Sequence, residues 1–180
     1  MLKNKGAVGF IGAAAAVVGM LTAAAPAGAS DISSQASKAE GKHCVVVVGK
    51  AAKGGVSPEL YRGCADTAAE ARAQLKTPKV QERIGTKAST ALMTWYAHAG
   101  YGTPATTVYG SYGTCDASGY RLHPDSYWSY NISSAVGHGN CTVATFHNRA
   151  RNYAATWRLP VSNLGSVLND NVGIIDVWHG

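Results

Sequence analysis

The chain has 180 residues and a formal net charge of +6. Without its first 29 residues it is long enough for one domain with a real hydrophobic core. Its basic residues are scattered and accompanied by acids, which reads as a solvated face and not a nucleic-acid surface. Beyond residue 29 no stretch is apolar enough to cross a bilayer.

Residues 1–29 read as a secretory signal peptide. Lys3 and Lys5 form a basic start, Ala7 to Ala25 an apolar run, and Ala27-Gly28-Ala29 a small-residue cleavage site that leaves Ser30 first. The run just reaches the length of a span, but the cleavage site follows it directly, so cleavage is expected and not anchoring. The expected location is extracellular. Residues 30–42, rich in Ser, Ala and Lys, are expected to be a disordered N-terminus.

Four cysteines remain: Cys44, Cys64, Cys115 and Cys141. An even count in an exported chain reads as two disulfides, for which three pairings exist. Pairing neighbours, Cys44–Cys64 and Cys115–Cys141, respects a break in composition near residue 90. No C-x-x-C occurs, so a thiolate metal site is not expected. Residues 30–90 hold ten Lys and Arg against six Asp and Glu; residues 91–180 hold four of each sign, with no Lys and no Glu. All four Trp and eight of the nine Tyr also lie after residue 90.

In chain order, His43 to Lys50 contains four consecutive valines and predicts a buried strand. Gly54-Gly55 and Pro58 predict a turn, and Glu59 to Cys64 a returning strand. Thr67 and Glu70 have the spacing of a capping box, opening a helix over Ala68 to Leu75 that Pro78 should stop. Lys79 to Thr90 is expected to be connector. From Ala91 the period changes to two, with strands predicted at 91–96, 106–109, 120–123 and 135–136. A loop over 110–119 holds Cys115, and an aromatic turn covers 124–134. A second cycle follows: strands at 141–146, 154–161, 165–168 and 172–178 around a basic turn at 148–152. Two cycles of similar length suggest an internal duplication within an all-β sandwich.

Two short motifs recur across these cycles. Tyr96 and Tyr101 are separated by four residues, with Gly102 next and Thr103 after it. Trp128-Ser129-Tyr130-Asn131-Ile132-Ser133-Ser134 precedes the last strand of the first cycle, and Leu168-Asn169-Asp170-Asn171-Val172-Gly173-Ile174 that of the second. On these residues 91–180 resemble the βγ-crystallin fold, in a secreted actinobacterial form related to a peptidase-inhibitor family and to Streptomyces-type metalloproteinase inhibitors. The resemblance implies a mainly β, double Greek-key sandwich over 91–180; the small basic region over 43–90 that precedes it, expected from its own residues to be a disulfide-stapled β-hairpin plus a short helix, has no counterpart in crystallins. In the family the Gly turn folds the first hairpin over the sheet and a Ser of the second motif hydrogen-bonds it. Thr103 and Ile174 depart from that pattern.

The resemblance also implies candidate sites. One composite calcium site would use Ser133, the Asn131 carbonyl and Asp170; with one carboxylate it would be weak, and no other cofactor is expected. Peptidase inhibition would use a rigid loop held by Cys115 or Cys141, with His138, Cys141, Thr142 and Val143 as contact residues. The implied partner is a secreted protease, and the protein is expected to be a monomer. The alternative role is an extracellular structural or stress-resistance protein. Catalysis is not expected. No G-x-S-x-G, H-E-x-x-H or G-x-G-x-x-G occurs, the six histidines show no i,i+4 pairing, and only Asp116, Asp125, Asp170 and Asp176 supply carboxylates after residue 90.

Overall fold

The computed structural model describes residues 42–52, 54–85 and 89–180. The expected leader and the expected disordered segment up to residue 41 lie outside the described residues. Lys42, placed with that segment by sequence, is tied by an ion pair to Asp66.

The protein is mainly β, with two sheets. The first has the strand order β2 (Glu59–Ala65), β1 (His43–Val48), β4 (Gly102–Gly110), β3 (Thr90–His98), β6 (Ser134–Gly137). The second runs β5 (Tyr120–Leu122), β9 (Val172–Trp178), β7 (Val143–Asn148), β8 (Ala154–Arg158). Neighbours are antiparallel except β1 and β4, which pair in parallel with Cys44 opposite Thr106 and Val48 opposite Gly110. The first sheet is therefore continuous across the composition break near residue 90. That break marks a change of surface chemistry within one sheet.

The valine run explains why β1 sits inside. Val46 and Val48 face the main core between the sheets, whereas Val45 and Val47 face a second cluster under the helices. A strand buried on both faces needs continuous apolar residues and not alternation. The helix α1 (Ala68–Gln74) has the expected capping box: Thr67 accepts from the Glu70 N–H, and the Glu70 carboxylate accepts from the Thr67 N–H. Pro78 does not end this helix so much as begin another. It occupies the first turn of α2 (Pro78–Ile84), where its missing N–H has no partner to lose. Val80 and Ile84, one turn apart, bury against the same cluster as Ala71 and Leu75. This packing makes a helix of the expected connector.

The main core is dominated by Trp95 and Trp128, whose ring centroids lie 6.4 Å apart, with Phe146, Leu168 and Ile175 completing it. Both indole N–H groups are buried without a hydrogen-bond partner among the described residues. Each such loss costs about 1–3 kcal/mol, and the apolar area of two fully buried indoles outweighs it. Gly165–Leu168, expected as a strand, is a one-turn helix, α3, entered through Gly165 at φ 75°. The strand expected over 154–161 ends at Arg158, since Pro160 offers no N–H to a ladder. Val161 instead crosses to the first sheet, exchanging two hydrogen bonds with Ala135 at 2.9 Å each.

Arg62 locks the N-terminal hairpin to the rest. Its side chain is 5% exposed. It donates through Nε and Nη2 to Glu59 and through Nη1 to Asp125. The other oxygen of Asp125 accepts the Trp128 N–H at 2.9 Å, so the ion pair also seats the core tryptophan. Replacing Arg62 by Ala would leave Asp125 buried and unpaired, at an expected cost of about 3–5 kcal/mol in urea unfolding. Replacing Arg62 by Met and Asp125 by Asn together, which keeps an acceptor for the Trp128 N–H, should recover part of that loss. A double variant less stable than Arg62→Ala would refute the assignment of the cost to an orphaned charge.

Candidate functional site

The two disulfides join Cys44 to Cys64 and Cys115 to Cys141, the neighbour pairing. The second ties the loop after β4 to the turn between β6 and β7. Gly113 and Gly139, at φ 94° and 55°, make the two sharp bends. A Cβ on Gly139 would stand 2.9 Å from the Thr114 hydroxyl oxygen, and that oxygen accepts the Asn140 N–H at 3.0 Å. Only glycine permits this approach. Tyr120 donates its hydroxyl to the Gly113 carbonyl at 2.8 Å.

The base of the loop is organised by Asp116. Its carboxylate accepts from Lys50 Nζ, from the N–H and hydroxyl of Ser118, and from the Gly119 N–H. These bonds, Lys50's first, hold the Asp116 carboxyl far below the usual carboxylate range. The loop is thus fixed by a disulfide, two bends and a charged knot, while Tyr112 stands 70% exposed at its surface.

The four residues expected as contacts divide differently from expectation. Cys141 is 1% exposed and Val143 lies buried in β7, so neither presents a side chain to a partner. Thr142 is tied to the far end of the chain: its N–H donates to the Trp178 carbonyl, its hydroxyl donates to the Gly180 carbonyl, and its hydroxyl oxygen accepts the Gly180 N–H. His138 is half-buried, and its Nε2 lies 2.8 Å from the Thr94 hydroxyl. The exposed positions of the turn are Gly139 and Asn140. With Tyr112 they are among the exposed residues of the two loops expected from the sequence, 112–118 and 136–143, although the contacts singled out there were His138, Cys141, Thr142 and Val143.

The candidate calcium residues are brought together in part. Ser133 donates its hydroxyl to the Ala97 carbonyl at 2.8 Å and lies 3.3 Å from an Asp170 oxygen. Asp170 holds a left-handed backbone, φ 56°, and its N–H donates to the Ile132 carbonyl. Asn131, whose carbonyl was expected as the third ligand, does not line the crevice that Ser133 and Asp170 share with Ala97 and Asn169. Three converging oxygens with one carboxylate fall short of the six to eight or so that calcium takes. Among the described residues no group of three or more His, Cys, Asp or Glu is placed to hold a metal ion. In the second cycle, a Cβ on Gly173 would lie 2.8 Å from the Arg149 Cα, so no hydroxyl fits there.

The first hairpin is clamped as the motif implies, with a shift of position. Ser134 donates its hydroxyl to the His98 carbonyl at 2.7 Å and accepts the Tyr101 N–H at 3.1 Å. Tyr96 and Tyr101 meet edge to face, centroids 5.7 Å apart. The left-handed residues are Gly100 and Tyr101, at φ 68° and 67°, and not Gly102.

No known protein family, curated protein or solved structure matches the chain. No described helix is long and apolar enough to cross a membrane.

Burial first, and then the Arg72 charge, push the His138 imidazole below its ordinary value of 6.5. The folded protein therefore binds fewer protons here than the unfolded chain between the two values. This group's effect on stability is neutral above about pH 6.5 and becomes increasingly unfavourable as pH falls towards the depressed value. Arg72→Gln should raise the His138 titration midpoint, measured by NMR of its ring protons. An unchanged midpoint would show that Arg72 exerts no field at this imidazole.

Proposed function

We propose that the protein is an exported, non-enzymatic binding protein that inhibits a secreted peptidase. The observation that carries this reading is the doubly fixed loop pair around Cys115–Cys141, which presents Tyr112, Gly139 and Asn140 on a rigid base. A rigid loop loses little conformational entropy when it enters a cleft, which favours tight binding. Tyrosine supplies large contact area with few rotamers to freeze. The charged start, apolar run and Ala27-Gly28-Ala29 site support export, and two disulfides fit an oxidising compartment.

The proposed fold over 91–180 is a βγ-crystallin-like double Greek key. Its support is the strand exchange: β3, β4 and β6 of the first cycle share a sheet with Val161 of the second, and β7, β8 and β9 share theirs with β5. A structural, stress-resistance role is the second reading, favoured by the closeness of Ser133 and Asp170 and by the extent of side-chain clamping. In that role calcium would bind weakly, held by Ser133, Ala97 and Asp170.

Purified protein should slow peptide cleavage by a thermolysin-type metalloprotease or by a serine protease. Tyr112→Ala with Asn140→Ala should weaken that inhibition at least tenfold or so. Undiminished cleavage by both classes would overturn the inhibitory reading. Calorimetric titration with calcium should give at most a weak isotherm, near the millimolar range or so, diminished by Asp170→Asn. Tight binding unaffected by that change would place calcium elsewhere.

A further inference from the structure

The two short helices cover only part of the outer face of the first sheet. Beside them a groove of roughly 540 Å³ opens, floored by outward positions of three adjacent strands and walled by α1. That volume falls within the range of small-molecule sites, about 300–1,000 Å³. We propose that this groove binds a small aromatic carboxylate. The proposal does not rest on the peptidase reading, because Tyr112, Gly139 and Asn140 do not line this groove.

The strand register sets the floor. Val45 stands opposite Thr107, Thr107 opposite Thr94, and Ala105 opposite Tyr96. Val45 and Ala105 are apolar residues of this floor, both nearly fully buried. Beside them the Thr107 and Thr94 hydroxyls lie 3.0 Å apart, and Thr94 continues 2.8 Å to His138 Nε2. A line of orientable donors and acceptors thus runs along an apolar floor. This combination suits a ligand with one polar head and a flat apolar body.

The charge of the walls selects the head. Among the described residues Arg72 is the charged one that lines the groove, and no described Asp or Glu lines it. Arg72 makes no ion pair with any described carboxylate, whereas Arg62 and Arg121 do. A guanidinium presents a planar fork of N–H donors that matches a carboxylate bidentately. His43, at one end, has a buried Nδ1 without a hydrogen-bond partner among the described residues. A metal is a poorer occupant. Among the described residues two imidazoles are the nitrogen ligands here, His138 Nε2 is already engaged with Thr94, and no thiolate or carboxylate of those residues completes a set. Tyr96 and Tyr109 line the groove as well and favour an aromatic body over an aliphatic one.

The test is an amide-resolved NMR titration of the purified protein with 3-phenylpropionate, its uncharged analogue 3-phenylpropanol, and phenyl phosphate. Saturable shifts are expected at Thr94, Ala105, Thr107 and His138 with 3-phenylpropionate. The alcohol should bind at least tenfold or so more weakly, a loss of about 1.4 kcal/mol or more. Arg72→Gln should cost at least as much, and Thr107→Val severalfold. Arg72 is exposed on a capped helix, so its loss leaves the fold intact, which the unperturbed spectrum of the variant checks. Arg151→Gln should bind as the wild type does. Absence of saturable shifts up to concentrations on the order of 10 mM would overturn the proposal, as would equal affinity in Arg72→Gln. Tighter binding of phenyl phosphate than of the carboxylate would replace the carboxylate by a phosphate.

Discussion

Residues 91–180 do not divide into two self-contained sheets, and most of the architecture depends on that constraint. β5 leaves the first cycle to pair with β9, and Val161 leaves the second to pair with Ala135. The two sheets are therefore joined by crossing chain, and the core between them draws on both cycles: Trp95 and Trp128 from one, Phe146, Leu168 and Ile175 from the other. The crossings also determine where loops gather. The chain leaving the first sheet for β5 passes the turn entering β7, and Cys115–Cys141 joins them there. In the chain-entropy view, closing 26 residues this way removes roughly 3 kcal/mol of freedom from the unfolded state.

The N-terminal hairpin solves a separate problem. Without it β4 would be an open edge, a row of unpaired N–H and C=O groups ready to join another chain. β1 covers that edge, and β2 with the two helices covers β1. Its surface charges do little for stability. Lys42–Asp66 and Lys50–Asp116 are pairs with exposed carboxylates, whose attraction water screens. Arg62 is different because its own side chain is buried, at 5% exposed, against 11% for Asp125 and 32% for Glu59. Its worth lies in registering hairpin against turn, since a buried ion pair recovers its desolvation cost only with complete hydrogen bonding.

Local chemistry was legible in the sequence; long-range pairing was not. The capping box, the valine strand and the strands at 120 and 172 follow from residue type and period, and they stand within a residue or two of the expected bounds. Pro78 misled because a proline both ends helices and begins them, and only the burial of Val80 and Ile84 decides between the two. Gly165–Leu168 misled because four residues are too few for either period to show. The parallel pairing of β1 with β4 joins segments some 60 residues apart in sequence, and no local pattern marks it. The same holds for the candidate sites. The cysteines pointed to the right loops, but Cys141 and Val143 are there to be buried, and exposure passed to Tyr112 and Asn140.

The half-kept motifs have a physical resolution. In the first cycle the clamp on the folded hairpin comes from the last strand, through Ser134. In the second, Ile174 offers no hydroxyl, and Asn148 at the end of β7 takes the role. Its Oδ1 accepts the N–H groups of Asn152 and Tyr153, and its Nδ2 donates to the Asn152 side chain. With the clamp supplied from within the hairpin, the Arg149 backbone lies close against β9, where a Cβ on Gly173 would stand 2.8 Å from the Arg149 Cα, so glycine is the residue that fits there.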